Sequence, residues 1–305
     1  MSKLHPIIAV TGSSGAGTST ARVAFEHMFT RMNLRAAIVE GDSFHAYDRD
    51  TMAQQLHRAN VRGERFSHFG PAANLFDKLE ALFRSYGATG QGELRRYLHS
   101  DAEASAFGQK AGTFTPWTPL PPDTDLLLYE GLHGGLVTDR VNVAQHVDLL
   151  IGLVPTINLE WIQKIHRDTN ERGYSPERVK ETILRRMHDY VHYMVPQFSQ
   201  TDINFQRVPT VDTSNPFIAR DIPSQDESFV VIRFKDPRKW PIHFPEMLAM
   251  VQGSFMSRRN TVVVPGGKMG MAMEIILMPI MEQLMRNRDN QRRRQRRKPV
   301  PPQTP

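Results

Sequence analysis

Hydrophobic positions fall into short, fully apolar runs separated by stretches in which apolar residues recur every three or four positions. Runs of about four to eight apolar residues are typical of strands buried on both faces of a parallel sheet. The sequence predicts six such strands, at residues 6–11, 36–40, 126–130, 147–154, 229–234 and 261–264.

The stretches between these strands have the periodicity of amphipathic helices. Helices are predicted near residues 18–31, 50–60, 72–86, 158–169, 176–194 and 268–288. Ser175 is the expected N-cap of the fifth helix, with Pro176 at its first position. Residues 87–125 are rich in Gly and Pro, which favours loops. Strands alternating with helices predict an α/β fold: a layered, mixed or mostly parallel sheet flanked by helices, forming one domain over residues 1–285.

Composition excludes several classes of protein. No apolar run reaches the roughly 18 residues of a membrane-spanning helix. The first residues also lack the apolar segment of a secretory signal, so a cytoplasmic protein is expected. None of the 305 residues is a cysteine, which excludes disulfides, thiolate metal sites and thiol-based redox control.

The positive charge of the chain is concentrated in residues 286–305. This segment holds eight Lys/Arg and one acid, and removing it from the totals of 38 basic and 32 acidic residues leaves 30 and 31. The body is therefore close to neutral, and we predict that 286–305 is a basic, disordered tail. Nucleic-acid binding is not expected of the body, but the tail keeps a nucleic-acid or partner-binding arm open as an alternative.

A glycine-rich turn lies between the first predicted strand and the first predicted helix. It consists of Gly12, Ser13, Ser14, Gly15, Ala16, Gly17, Thr18 and Ser19, with the spacing G-x-x-x-x-G-x-S of the Walker A motif. Backbone N–H groups in such a turn surround phosphate oxygens, and the following helix directs its positive end toward them. We expect this turn to bind the phosphates of ATP, with the Ser19 hydroxyl on Mg²⁺; a turn that binds nothing is the alternative.

Position 18 departs from the motif, because Thr18 stands where most such turns have a lysine. The β- and γ-phosphates need a cation during phosphoryl transfer, so another residue must supply it. Lys164 is the candidate, in a predicted helix where Lys164, Arg167 and Asp168 share one face. The alternative is that these charges form a solvated face in which Lys164 only pairs with neighbouring acids.

Two acids follow the ends of predicted strands. Asp42 comes just after the second strand and Glu130 ends another, and ligands of open α/β sheets bind at the carboxyl ends of strands. We predict that Asp42 orients and deprotonates an attacking hydroxyl and that Glu130 contacts Mg²⁺, directly or through water. The alternatives are a helix N-cap for Asp42 and a strand-terminal acid without function for Glu130.

Further candidates are His45, Arg49 and His99, which are suited to binding a phosphate or hydroxyl of the second substrate; the alternative for each is a surface or loop residue without this role. The twelve histidines show no metal-ligand spacing such as H-E-x-x-H, so no resident transition metal is expected. Arg172 follows in a Gly-containing turn between two cation-rich helices, which we interpret as a lid that closes over phosphates.

Six blocks of the sequence together resemble the bacterial branch of the phosphoribulokinase family: GSSGAGTS at 12–19, EGDSFH at 40–45, FSHFGP at 66–71, YEGLHG at 129–134, NLEWIQKIHRD at 158–168 and VPQFSQTDIN at 195–204. The resemblance covers residues 5–285. That branch also lacks the Walker lysine, so Thr18 agrees with it. It implies a P-loop kinase that phosphorylates D-ribulose 5-phosphate at O1, giving the ribulose 1,5-bisphosphate of the Calvin cycle.

The resemblance also implies roles for individual residues. It implies that Asp42 is the base; that His45, Arg49 and Arg172 contact the sugar phosphate; and that Lys164, Arg167, Asp168 and Glu130 serve ATP and Mg²⁺. It further implies an octamer activated by NADH and inhibited by AMP, with Arg31, Arg233 and Arg258 matching arginines of the activator site, although surface arginines without function are the alternative. Other functions kept open are a uridine kinase of the same superfamily and a nucleotide-binding regulator that contacts nucleic acid through residues 292–298.

Overall fold

An eight-stranded sheet organises the protein. The computed structural model describes residues 4–13, 16–170 and 173–296, with side chains described as far as residue 294. Its strands are β1 (Ile7–Gly12), β2 (Ala36–Glu40), β3 (Glu93–Leu94), β4 (Thr118–Pro119), β5 (Leu126–Gly131), β6 (Leu149–Val154), β7 (Ile203–Pro209), β8 (Ser228–Phe234), β9 (Phe255–Arg258) and β10 (Thr261–Pro265). Its helices are α1 (Thr18–Met32), α2 (Arg49–Val61), α3 (Phe76–Thr89), α4 (Asp101–Ser105), α5 (Ile157–Asn170), α6 (Pro176–Asp189), α7 (Phe244–Met250) and α8 (Met269–Arg296).

The strand order is β2-β5-β1-β6-β7-β8-β10-β9. The pairs among β2, β5, β1, β6 and β7 are all parallel, whereas β8, β10 and β9 extend the sheet through antiparallel pairs. The short strands β3 and β4 form a separate antiparallel ribbon. The predicted α/β fold with a mostly parallel sheet is therefore confirmed.

Helices cover both faces of the sheet, because successive residues of a strand point to opposite sides. Ile8 and Val10 of β1 pack in the core that contains α1, α7 and α8. Ile7 and Ala9 pack in a second core with the apolar face of α3. Burial of each isoleucine or valine side chain contributes about 1.5–3 kcal/mol, so β1 is anchored from both sides.

Several elements differ from the prediction. The strands β7 and β9 and the helices α4 and α7 were not predicted, and α6 ends at Asp189, followed by a π-helical turn over Tyr190–Met194. The last helix continues to Arg296, so residues 286–296 are helical where we predicted a disordered tail. Arg288 explains this: its side chain is only 9% exposed and its Nη1 lies 2.7 Å from Asp125 Oδ1. Residues 297–305 lie outside the described part.

Within the ranges that the structure describes, no helix combines the length and apolar character needed to cross a membrane.

Candidate active site

The glycine-rich turn lies between β1 and α1, as predicted. Gly17 adopts a left-handed conformation with φ of 107° as the N-cap of α1, and a Cβ added there would come within 2.7 Å of Met269 Cε. The Ala16 N–H donates to the Ser13 carbonyl at 3.1 Å. The first turn of α1 contains no acid that would neutralise its positive end. This geometry suits a phosphate; Ser14 and Gly15 lie outside the described residues.

The sheet topology brings the two predicted acids to the same edge as this turn. The strands β2, β5 and β1 are parallel neighbours, and Glu130 is in register with Val10 on one side and Glu40 on the other. Burial raises the pKa of Glu130 to about 7; Arg22 opposes this shift, while Glu40 and Asp42 add to it. A partly buried carboxylate among other acids favours a bound cation, so the chemistry of Glu130 fits a ligand of Mg²⁺.

Asp42 lies on a 3-10 turn, Gly41–Phe44, that directly follows β2. Gly41 is needed because a Cβ there would lie 2.6 Å from Tyr129 Oη. His45 Nε2 is 3.1 Å from Asp42 Oδ1, and His99 Nε2 is 3.7 Å from Asp42 Oδ2. Burial raises the pKa of Asp42, but the hydrogen bond from His45 and the charges of His45 and His99 lower it by more, and the net pKa is below the usual value. The carboxylate is thus ionised at neutral pH.

The imidazole of His45 bridges Asp42 and Asn74. Its Nδ1 lies 2.8 Å from Asn74 Oδ1, and only 13% of the side chain is exposed. Burial lowers the pKa of His45, whereas the hydrogen bonds to Asp42 and Asn74 and the charge of Asp42 raise it by more, so the net pKa is above 6.5. His45 is therefore poised to carry a positive charge beside the base.

Arg95 clamps the turn that carries both residues. Its Nε donates to the Ser43 carbonyl at 2.9 Å and its Nη2 to the His45 carbonyl at 2.5 Å. Its guanidinium carbon stacks 3.6 Å above the ring centroid of Phe114 and 4.9 Å from that of Trp117. The loop that supplies His99 and the turn that supplies Asp42 are thereby held together.

One large cleft, of about 1260 Å³, joins these groups to the predicted lid helices α5 and α6. Its lining includes eight of the predicted site residues, namely Ser13, Asp42, His45, Arg49, His99, Lys164, Arg167 and Asp168. Arg49 donates from Nη2 to the His99 carbonyl at 2.9 Å, which keeps its guanidinium beside His99. Arg172 lies outside the described residues.

On the lid, the ammonium of Lys164 pairs with Asp168, and Arg167 Nε lies 3.4 Å from the other carboxylate oxygen. Burial lowers the pKa of Lys164, and the hydrogen bond to Asp168 partly restores it. Lys164 therefore pairs with a neighbouring acid, as the alternative interpretation expected. It also lines the cleft, so the pairing does not exclude a role there.

A segment around residues 67–74 connects His45 to helix α6. Ser67 Oγ donates to Asp189 Oδ2 on α6 at 2.7 Å, and His133 Nε2 lies 3.0 Å from the Phe69 carbonyl. A Cβ on Gly70 would meet the same Asp189 carboxylate at 2.8 Å. Burial lowers the pKa of His133 to about 3, so it is neutral and donates to that carbonyl. In the sequence this segment stands out only through the family resemblance, and no local pattern indicates its role.

The three arginines matched to an activator site lie away from the cleft. Arg31 is in the last turn of α1, and Arg233 and Arg258 are both register partners of Thr261, on opposite sides of β10. All three side chains are exposed.

Three features together define a P-loop kinase. They are the glycine-rich turn after β1, the acids at the carboxyl ends of β2 and β5, and the two cation-rich helices that line the same cleft. A sequence model described as "Phosphoribulokinase / Uridine kinase family" matches residues 7–214, and the chain belongs to this family. It is 60% identical over 289 residues to "Phosphoribulokinase, plasmid" of Cupriavidus necator, covering 94% of this chain and 98% of that protein. Identity to "Phosphoribulokinase 1" of Cereibacter sphaeroides is 57% over 287 residues, with 94% and 98% coverage.

A solved structure, "Phosphoribulokinase from Rhodobacter spheroides", superimposes with a TM-score of 0.87 at 53% identity, covering 94% of this chain and all of that one. The predicted fold class and the predicted resemblance are both confirmed.

Proposed function

We propose that this kinase transfers the γ-phosphate of ATP to O1 of D-ribulose 5-phosphate, forming the ribulose 1,5-bisphosphate used in the Calvin cycle. The observation that carries the proposal is 60% identity to a phosphoribulokinase over 94% of the chain. The geometry supports the proposal, because Asp42 and Ser13 of the glycine-rich turn line the same cleft.

At the nucleotide side, the turn from Gly12 to Thr18 would hold the ATP phosphates. Ser19 and Glu130 would hold Mg²⁺, which when bound neutralises charge on the β- and γ-phosphates. Arg167 and Asp168 would complete this side from the lid. Lys164 would supply the cation that Thr18 does not, since it is partly buried in the cleft wall and its partner Asp168 is on the same helix.

At the sugar side, Asp42 orients O1 and accepts its proton as the new P–O bond forms. One oxygen, Oδ1, is occupied by His45, so Oδ2 is the atom available to the substrate hydroxyl. His45, Arg49, His99 and Arg172 would bind the hydroxyls and 5-phosphate, and this remote binding would position O1.

We further propose that the protein is a cytoplasmic homo-octamer activated by NADH and inhibited by AMP, with Arg31, Arg233 and Arg258 at the activator site. Their exposure is compatible with an effector or a subunit contact. Activity measured with and without NADH, alongside sedimentation of the purified protein, tests this regulation. A rate unaffected by NADH at every ATP concentration would contradict it.

A coupled ADP-release assay with ribulose 5-phosphate, ribulose, uridine and cytidine tests the main proposal. We expect kcat/KM for ribulose 5-phosphate at least ~10³-fold above the others, because cations desolvated for a phosphate lose their partner when it is missing. Comparable efficiency on uridine would instead assign the uridine kinase activity. Salt-sensitive nucleic-acid binding without ADP release would favour a regulator that acts through the basic segment.

A further inference from the structure

The side chain of Asn74 has its orientation fixed by its own hydrogen bonds. Its Nδ2 lies 2.8 Å from the His68 carbonyl and 2.7 Å from the Gly70 carbonyl. An amide nitrogen has two N–H groups, and both are used by these carbonyls. Turning the amide over would bring its oxygen against two carbonyl oxygens, so Oδ1 must face His45.

Backbone contacts fix the two residues beside each other as well. Residues 45 and 74 form an antiparallel bridge, the Ala46 N–H donates to the Ala73 carbonyl at 2.8 Å, and the Leu75 N–H donates to the Phe44 carbonyl at 2.7 Å. The 2.8 Å contact from His45 Nδ1 to Asn74 Oδ1 is therefore built into the chain path.

This arrangement restricts the protonation of the ring. Since Asn74 presents only an acceptor, Nδ1 must carry a proton. A neutral ring would then direct the lone pair of Nε2 at the Asp42 carboxylate, 3.1 Å away. Only the imidazolium donates to both neighbours at once.

We propose that Asn74 is a positioning residue that holds His45 as an imidazolium against Asp42, so that a fixed positive charge faces the sugar phosphate and Asp42 keeps Oδ2 for the substrate hydroxyl. This proposal rests on the proposed function only for the identity of the substrate. Asn74 itself does not need to touch the substrate.

Other charged groups around the ring are compatible with this state. Arg95 donates to the His45 carbonyl and its charge lowers the pKa of His45, an effect that the contacts to Asp42 and Asn74 outweigh; His99 faces the other oxygen of Asp42. His68 has its ring centroid 5.4 Å from that of His45; burial and the charge of Arg186 lower the pKa of His68 to about 3, so it adds no charge near neutral pH.

The sign of the pH dependence follows. Because the pKa of His45 is raised above its usual value, the charge persists to higher pH than on an unperturbed imidazole, and it is lost as the pH rises through that pKa. Affinity for an anionic substrate should fall along the same limb. In the unmodified protein, nitrogen chemical shifts of His45 should show both ring nitrogens protonated at pH 7, and a ring with either nitrogen unprotonated would overturn the proposal.

Two nearly isosteric variants separate this role from a structural one. Asn74→Asp and Asn74→Leu both lose the two N–H donors, but the first places a carboxylate at Nδ1 and the second removes the acceptor. We expect the pKa of His45, followed by NMR in the substrate-free protein, to rise in Asn74→Asp and to fall in Asn74→Leu. Asn290→Asp and Asn290→Leu, at an exposed position of α8, are matched controls with no expected change.

Kinetics provide the second measurement. At pH 8.5 the KM for ribulose 5-phosphate should be roughly tenfold or more higher in Asn74→Leu than in Asn74→Asp, the loss expected of one charged hydrogen-bond partner. Shifts of the His45 pKa in the same direction in both variants would reduce Asn74 to a structural role. Opposite pKa shifts in the two variants, together with no turnover of ribulose 5-phosphate by the unmodified protein, would instead keep this inference and reject the proposed function.

Discussion

The cleft contains two acid–cation pairs that are built in different ways. The pair of Asp42 and His45 is held from outside: Asn74 fixes the ring of His45, and Arg95 fixes its carbonyl. The pair of Lys164 and Asp168 is local to α5, where i,i+4 spacing alone places the two side chains together.

This difference indicates which of the two pairs is fixed to the sheet and which can move with a helix. The first pair is tied to the end of β2 and to the loops around it, so the sheet sets its position. The second pair keeps its geometry wherever α5 lies, because both partners are on one helix. We therefore expect the base to stay fixed and the phosphate-binding cations to arrive with the lid.

The largest effect should come from the fixed pair. Asp42→Asn keeps the shape of the side chain but cannot take the proton, so kcat should fall roughly 10²–10⁴-fold. Calorimetry should show nearly unchanged ATP affinity. Asp50→Asn, at an exposed position in the first turn of α2, is the matched control. Near-normal kcat in Asp42→Asn would remove this residue from the mechanism.

Disrupting the Lys164–Asp168 pair should lower turnover less than the loss of Asp42 does. Lys164→Met should lower kcat more than it raises the KM for ATP, since the charge matters most as the phosphoryl group moves. The variant also leaves Asp168, with 6% of its side chain exposed, without the ammonium. Adding Asp168→Asn separates the two effects in a double-mutant cycle.

Lys180→Met, on the exposed side of α6, is the control for the lid. If only the KM for ATP rises in Lys164→Met, the residue binds the ground state and the substitute-lysine hypothesis is wrong.

Removing the hydrogen bonds by which Arg95 holds the Asp42–His45 turn should lower turnover moderately. Arg95→Met retains the stacking volume against Phe114 but loses the two hydrogen bonds to the Ser43 and His45 carbonyls. We expect kcat to fall about tenfold, because hydrogen bonds from a charged donor typically contribute about 1.5–3 kcal/mol. The neighbouring exposed Arg96→Met should be silent. Equal losses in both variants would show a general disturbance of the loop.

The smallest effect on turnover is expected outside both pairs, in α8. Arg288→Met should leave kcat within about twofold at 25 °C but lower the free energy of unfolding by on the order of 3 kcal/mol, since Asp125 loses its charged partner and keeps the Arg35 N–H. Arg286→Met, whose side chain is 63% exposed, should change stability by no more than about 0.5 kcal/mol. Urea denaturation measures both, and equal stabilities would show that the Arg288 contact contributes nothing.

Local patterns predicted the parts of the site that local structure creates. The turn at Gly17 and the acids Asp42 and Glu130 follow from strand ends, and parallel pairing of β2, β5 and β1 then brings them to one edge. Asn74 and Arg95 act 29 and 50 residues away from His45, so no spacing in the sequence marks them. The prediction of disorder at residues 286–296 was wrong for the same reason, because Arg288 binds Asp125, which is 163 residues away.

The contact between Met269 at the start of α8 and Gly17 in the phosphate-binding turn has a consequence for biosynthesis. A ribosome makes the turn near the start of translation, but the helix that packs against it, and against α1 as a whole, emerges about 250 residues later. At roughly 5–20 residues per second, this interval lasts on the order of tens of seconds. During that time the apolar face of α1 has no partner from α8, so the nascent chain should depend on chaperones and acquire nucleotide affinity only near the end of synthesis.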